Sequence, residues 1–267
     1  GTHSFKAPTL QRNIILALLI AIAAVAWALL VWQQMGMDAD MRMEMYSLTM
    51  GMKAPLFLAV WMIMMIAMMF PTAAPMILTF HQVQAGKQGR GETFVSSWVF
   101  VAGYMLVWGV MGVVAFAGAA GAEMLAGHVG LSTATAARIG GALLMLGGAY
   151  QLSPLKDLCL AKCRTPIGFI LTSWRDGYWG AVRMGLEHGL FCLGCCWLLF
   201  LALFPLGIMN VAAMAVVTLL IFAEKTLPSG EGIAKVSGVA LLLYGAAVLV
   251  FPQALPTFQP VGAMTMN

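Results

Sequence analysis

Runs of apolar residues, each about the length of a membrane-spanning helix, alternate with short polar segments along the chain. A transmembrane helix needs about 20 predominantly apolar residues to cross the hydrocarbon core of a bilayer. On this basis we predict seven spans, at residues 14–32, 55–78, 95–120, 134–152, 183–204, 207–223 and 233–251. The predicted fold class is all-α: a polytopic membrane helical bundle of about seven transmembrane helices, in which residues 1–267 form a single membrane domain.

The composition excludes the common soluble classes. Of the 267 residues, 61% are hydrophobic and 9% are charged, whereas a soluble domain carries about 25% charged residues. Disorder is excluded too, because it requires low hydrophobicity and high net charge. The formal net charge of +4 comes from dispersed basic residues, so we expect the lipid bilayer as a partner and not nucleic acid.

The loop charges orient the predicted spans. Basic residues lie mainly in the segments on one side of the membrane: Lys6, Arg12, Lys87, Arg90, Lys156, Lys162, Arg164, Arg175, Lys225 and Lys235. The positive-inside rule makes that side cytoplasmic. We therefore predict a cytoplasmic N-terminus and a C-terminus outside. Glu224 and Lys225 end the sixth span on the cytoplasmic side, where charged side chains either snorkel or form a local ion pair.

Methionine is unusually abundant, with 22 residues, and one cluster lies in a predicted outer loop, residues 33–54. Met41, Met43 and Met45 alternate there with charged residues, so packing in a core explains them poorly. Thioethers are soft ligands that suit Cu(I) and need no deprotonation. The alternative is an amphipathic interfacial helix whose methionine face lies in lipid.

A second methionine cluster follows helical spacing in the second predicted span. Met65 and Met69 lie on one side of this helix, and Met68 belongs to an adjoining stripe. Methionines at this spacing commonly serve packing. Pro71 and Pro75, however, each free a backbone carbonyl, which a membrane helix tolerates mainly where protein or a cavity satisfies it. The second possibility is therefore that this helix borders a metal pathway.

The strongest candidate site lies in the fifth predicted span. His188, Cys192 and Cys195 stand at positions i, i+4 and i+7 and so share one face of a helix, with Cys196 beside them and Met184 one turn earlier. Such ligands suit Cu(I), and four of them would also suit Zn²⁺. Because only partners from another helix can complete the site, we expect the methionines of the second span to contribute.

Two further cysteines, Cys159 and Cys163, lie in a predicted cytoplasmic loop, residues 153–182, which we interpret as a structured loop or an interfacial helix. Their C-x-x-x-C spacing places both thiols on one helical face. Nearby Lys156, Lys162 and Arg164 would favour thiolates. We expect this dithiol to accept or donate a soft metal.

Three motifs occur together in this chain. They are the double-methionine, double-proline stretch 64–75, the segment 150–164 with two cysteines, and the segment 185–197 with His188 and three cysteines. On these residues the chain resembles a bacterial family of predicted metal-binding integral membrane proteins, over roughly residues 55–250. The resemblance implies a multi-pass, metal-binding protein of the bacterial cytoplasmic (inner) membrane.

The leading hypothesis is a membrane protein that binds copper as Cu(I) and transfers or delivers it by ligand exchange, with assembly of a copper enzyme as one destination. Zinc and mercury are alternative metals. The expected partners are the metal ion and either a copper chaperone or a membrane copper-enzyme complex. The sequence has no phosphate-binding loop, so we do not expect ATP-driven pumping by this chain alone, nor do we expect it to be an enzyme.

Two other classes stay open. Cys192 and Cys195 form a C-x-x-C, so a membrane thiol-disulfide oxidoreductase is the enzyme alternative. That hypothesis leaves the methionines unexplained. An accessory structural subunit of a larger membrane complex is the other alternative. Paired glycines at 140–141 and 147–148 favour close helix packing, which all three hypotheses accommodate.

Overall fold

The computed structural model describes residues 6–36 and 47–257. All the regular elements in these residues are helical, which confirms the all-α fold class. The helices are α1 (Lys6–Met35), α2 (Ala54–Gly89), α3 (Ser97–Val129), α4 (Thr133–Gln151), α5 (Pro154–Arg164), α6 (Pro166–Ser173), α7 (Gly177–Leu206), α8 (Val211–Thr226) and α9 (Gly230–Val250), followed by a 3-10 turn, Pro252–Ala254.

Five of these helices are long and apolar enough to cross a membrane: α1 over Thr9–Met35, α2, α3, α7 and α9. The other two predicted spans correspond to α4 and α8. Helix α8 has 16 residues and is therefore about 24 Å long, which is shorter than the hydrocarbon core of about 30 Å. The count of seven spans and the sidedness of the two termini thus stay predictions.

The segment that we interpret as a cytoplasmic loop forms the two short helices α5 and α6. The Ser153 hydroxyl accepts a hydrogen bond from the Lys156 amide at 3.3 Å and so caps the start of α5. Pro166 occupies the first position of α6. Proline is well tolerated there but cannot continue a preceding helix, so α5 ends at Arg164. The result is a sharp join that directs α5 against α7.

Glycines let several helices approach backbone to backbone. A Cβ atom added to Gly185 of α7 would lie 2.1 Å from the carbonyl oxygen of Phe100 in α3, a distance that real side chains do not tolerate. Likewise, a Cβ atom on Gly148 of α4 would lie 2.6 Å from the carbonyl oxygen of Gly238 in α9. Small residues at such crossings are typical of membrane helix packing, and the expected packing role of the α4 glycines is confirmed.

Helix α2 lies in the middle of the bundle and continues through both of its prolines. Pro71 has no amide hydrogen, so the carbonyl oxygen of Ala67 loses its helical donor. The indole nitrogen Nε1 of Trp27 in α1 donates to this oxygen at 2.9 Å. A neighbouring helix therefore satisfies the carbonyl that the proline frees, as a membrane helix requires.

Candidate metal centre

Helix α7 buries its histidine and its three cysteines in the core. His188, Cys192, Cys195 and Cys196 are each no more than 2% exposed, and Met184 is fully buried. The helix is continuous from Gly177 to Leu206, so the i, i+4, i+7 arrangement on one face is present. The predicted ligands of the fifth span thus face protein and not lipid.

Helix α5 brings the loop cysteines to the same place. The Sγ atom of Cys163 lies 4.0 Å from the Sγ atom of Cys195. Cys159 lies one turn earlier in α5 and packs on Gly194, where an added Cβ atom would come within 2.7 Å of its sulfur. Cys163 is buried and Cys159 is half-buried. The cysteines of α5 and those of α7, which are far apart in sequence, therefore form one cluster.

The methionine stripe of α2 contributes one sulfur to this cluster. The thiol of Cys192 donates to the Sδ atom of Met69 at 3.9 Å. Met65 and Met68 are fully buried in the same core. Met41, Met43 and Met45 of the outer loop lie outside the described residues. The expected contribution of the second span is thus placed at Met69.

A buried lysine adjoins the cluster. Lys225 of α8 is 7% exposed, and its Nζ atom donates to the Cys192 sulfur at 2.9 Å and to the Thr72 hydroxyl at 3.5 Å. The Tyr104 hydroxyl lies 3.2 Å from the same sulfur. Cys192 is therefore the most densely hydrogen-bonded thiol of the group, with a cation in direct contact.

Glu224 and Lys225 neither snorkel nor pair with each other. Glu224 Oε2 accepts from Lys156 Nζ at 2.6 Å, where both side chains are almost completely buried. Gln151 Nε2 donates to Glu224 Oε1 at 2.7 Å, and Lys156 also donates to Gln151. Because Lys156 neutralises Glu224, Lys225 is left to face the thiols.

The expectation that Lys156, Lys162 and Arg164 favour a thiolate is wrong for Cys159. Lys156 is committed to Glu224, and Arg164 Nη2 donates to the carbonyl oxygens of Leu227 at 2.9 Å and Pro228 at 3.0 Å. Burial instead raises the pKa of the Cys159 thiol above its ordinary value. The cation in direct contact with a cluster thiol is Lys225, from α8.

His188 is enclosed by aromatic rings. Its imidazole stacks on Tyr104 with ring centroids 5.5 Å apart and on Phe100 at 5.9 Å. Within the described part of the chain, neither ring nitrogen has a hydrogen-bond partner. A buried polar atom without a partner is costly. The ring keeps both its donor and its acceptor nitrogen available for a ligand.

The sulfur spacings are those of ligands that share one three- or four-coordinate ion. Two sulfurs bound at about 2.3 Å to one ion lie about 4.0 Å apart in trigonal geometry and about 3.8 Å apart in tetrahedral geometry. The Cys163–Cys195 and Cys192–Met69 separations, 4.0 and 3.9 Å, match these values. In the described ranges, no group of three His, Cys, Asp or Glu side chains is assembled to hold an ion, so the arrangement consists of sulfur pairs.

Cys196 has a different environment. Its thiol donates to the Cys192 carbonyl oxygen at 2.8 Å. The Cys195 thiol also lies within reach of that oxygen, at 3.1 Å, but it faces Cys163 as well. The Cys196 thiol thus bonds to a backbone oxygen of its own helix, and Cys196 belongs to neither sulfur pair.

Sequence reasoning did not identify Tyr104, Thr72 or Lys225 as part of the site. Tyr104 and Thr72 are single polar residues in apolar helices, and nothing in their spacing marks them. The position of Lys225 could have indicated a buried charge. It follows a glutamate near the end of a helix of only 16 residues, and from a buried face of that helix a lysine cannot easily reach water.

The fold and the site together define a helical protein of membrane type with a buried sulfur-rich centre. A family model described as PpoB2, a copper chaperone, matches residues 58–248, more than two thirds of the chain. The chain belongs to this copper chaperone family, and its resemblance to a metal-binding bacterial family is confirmed. No curated protein and no solved structure matches it. A role in copper handling follows from this membership.

Proposed function

We propose that this protein binds Cu(I) at the sulfur pairs between α2, α5 and α7 and passes it on by ligand exchange. The observation that carries the proposal is the convergence of Cys163, Cys195, Cys192 and Met69 from three helices into one buried place. Soft thiolate and thioether ligands select Cu(I) over harder ions. Zinc would need a fourth strong ligand in closed tetrahedral geometry, and mercury is the nearer competitor.

The neighbouring lysine supports the binding of a charged centre. A Cu(I) ion held by two thiolates carries a net charge of −1, which a buried site must neutralise. Lys225 lies with Cys163 on the wall of one cavity and stands 2.9 Å from the Cys192 sulfur, so it supplies a positive charge beside both sulfur pairs. The ammonium group thus compensates the excess negative charge without competing for the metal.

We propose that the ion enters and leaves as the ligand pairs exchange. Cys192 and Cys195 are three residues apart on α7, about 4.5 Å along the helix axis, so each sulfur pair lies within one short step of the other. Ligand exchange moves the ion without exposing it bare to lipid. Delivery to an assembling copper enzyme in the bacterial inner membrane, directly or through another chaperone, is the destination that we propose, with binding and transfer as the activity.

Copper content of purified variants tests the proposal. The wild-type protein, purified under reducing and anaerobic conditions and loaded with Cu(I), is expected to retain about one equivalent of copper by elemental mass spectrometry, and Cys163→Ser with Cys195→Ser is expected to lose it. Cys159→Ser, a matched substitution in the same helix outside the sulfur pairs, is expected to retain copper. Equal copper in the double variant would overturn the site.

The thiol pair also favours the redox alternative enough to test it. The Sγ atoms of Cys163 and Cys195 lie 4.0 Å apart, so they must approach by about 2 Å to form a disulfide. A thiol count after mild oxidation separates the two functions. A metal-free protein that cycles reversibly between three and five free thiols would support a thiol oxidoreductase, whereas copper binding with five cysteines reduced supports metal transfer.

A further inference from the structure

A cavity of about 210 Å³ adjoins the sulfur cluster, between α2, the α5–α6 join, α7 and α8. Its wall includes Thr72, Cys163, Arg164, His188, Lys225 and Thr226. Thr226 is exposed and Arg164 is half-buried, so the cavity opens past these two residues. Cys163 is therefore reached from outside the bundle through this cavity.

The polar atoms around the cavity favour an anion. Among the described residues that line it, the charged ones are Arg164 and Lys225, both cationic. The carboxylate nearest in sequence, Glu224, is paired with Lys156. Arg164 uses Nη2 to bind two carbonyl oxygens and leaves Nη1 buried without a partner.

His188 provides a second, independent indication of a ligand. Its side chain is 2% exposed, it lines the cavity, and both ring nitrogens lack partners among the described residues. Buried nitrogens of this kind in a native protein call for a partner that the surrounding side chains do not supply, such as a bound ion, water or ligand. The cavity thus combines two cations, a free imidazole and a metal-binding thiol.

We infer that this cavity receives an anionic Cu(I) complex of two small thiolates, from which Cu(I) passes to Cys163 and Cys195. The inference rests on the proposed function and names the form in which copper arrives. A Cu(I) ion with two thiolates carries a charge of −1, which matches the cationic wall. The cavity volume equals the liquid share of about seven waters, so it accepts the metal with small thiol groups and not a folded carrier domain.

The transfer step balances without oxidation or reduction. Two bonds from copper to the carrier sulfurs break, and two bonds to the sulfurs of Cys163 and Cys195 form. The two thiol protons of these cysteines go to the departing carrier thiolates, which leave as neutral thiols. The net charge of −1 stays with the protein-bound centre, beside Lys225, and copper remains Cu(I) throughout.

Loading kinetics with two carriers of similar size and opposite charge test the inference. The 2-mercaptoethanol complex of Cu(I) is anionic, whereas the cysteamine complex is cationic because each carrier keeps an ammonium group. The wild-type protein is expected to load about tenfold faster or more from the anionic complex, the scale of electrostatic attraction into a charged cleft. Equal rates in the wild-type protein would overturn the inference.

Variants assign the effect to the cavity. Arg164→Gln is expected to lose the preference for the anionic complex, Arg164→Lys to keep most of it, and Lys162→Gln, an exposed neighbour in α5, to leave it unchanged. Loading from the acetonitrile complex of Cu(I), which carries no thiolate, reports whether the metal site itself is intact. Arg164→Gln protein that still prefers the anionic complex would overturn the inference.

The two proposals fail in different ways. Wild-type protein that takes up no copper from any of the three complexes contradicts the proposed function. Protein that loads from acetonitrile but does not distinguish the thiolate carriers retains the proposed function and overturns only the docking of an anionic complex. If Arg164→Gln does not fold, the wild-type carrier comparison still decides.

Discussion

Replacing Lys225 by methionine removes the positive charge beside the sulfur cluster while keeping an unbranched side chain of similar length. The Nζ atom lies 2.9 Å from the Cys192 sulfur, and the side chain is 7% exposed. The substitution therefore tests charge compensation with little change in packing. We expect the affinity for Cu(I) to fall, because the bound centre keeps its charge of −1 and loses its counter-charge.

The expected magnitude follows from Coulomb's law. Unit charges about 4–8 Å apart interact with about 2–4 kcal/mol at an effective dielectric constant of 20, and salt screens a buried pair only weakly. Lys225 is buried with and without copper, so its own desolvation cost cancels from the Kd, and its interaction of about 2–4 kcal/mol with the bound charge remains. Since about 1.4 kcal/mol is a factor of ten, we expect the Kd for Cu(I) to rise by about 30-fold to 1000-fold.

Competition for Cu(I) against a chromophoric chelator, in detergent and under anaerobic conditions, measures this Kd. Lys225→Arg keeps the charge and is expected to retain more of the wild-type affinity than Lys225→Met does. Lys235→Met, at an exposed position in α9, is the matched control. A Lys225→Met protein with the wild-type Kd would refute the role of the lysine.

Three further predictions concern the fold and the thiols. Glu224→Ala leaves Lys156 buried without its partner and is expected to cost about 3–5 kcal/mol in thermal or denaturant unfolding. Gly185→Ala forces a methyl group against an α3 carbonyl and is expected to cost about 1–3 kcal/mol, whereas Gly121→Ala, with open space around it, is expected to stabilise by about 0.5–1 kcal/mol. Since burial raises the pKa of Cys159, its thiol stays protonated to higher pH, and alkylation by iodoacetamide at pH 8, followed by peptide mass spectrometry, is expected to be slower than for an exposed cysteine.

Each of these predictions has an outcome that contradicts it. For the buried ion pair, a loss no larger than that of Glu231→Ala, an exposed glutamate, would show that the network contributes little. For the helix crossing, equal stability of the two glycine variants would mean that α3 and α7 separate freely. For Cys159, rapid alkylation at pH 7 would indicate the thiolate that nearby basic residues were expected to favour.

The long helices were predictable because the signal for a membrane helix lies in its own local sequence. An apolar run long enough to cross lipid forms a helix whatever it packs against, since every backbone amide must be satisfied within the segment. The packing of α5 and α6 was harder to predict from the sequence. Their sequence contains charged residues and prolines that suggest an interfacial loop, and only tertiary contacts show that Cys163 turns towards α7.

The sequence predicts which side chains of α7 share a face, but not which charged side chains lie beside them. Helical periodicity places His188, Cys192 and Cys195 on one face, but it carries no information about which other helix approaches. Glu224 pairs with Lys156, and its neighbour Lys225 contacts Cys192. These pairings depend on distances between α5, α7 and α8, which the spacing of residues along a single helix does not encode.

X-ray absorption at the copper K-edge of the Cu(I)-loaded protein tests the central claim most directly. We predict an edge typical of Cu(I) and two or three sulfur scatterers at about 2.3 Å, the distance of thiolates from another d¹⁰ ion, with this sulfur shell lost when Cys163 and Cys195 are both replaced by serine. Copper surrounded by oxygen or nitrogen alone, or a sulfur shell unchanged in the double variant, would contradict a metal centre at these cysteines.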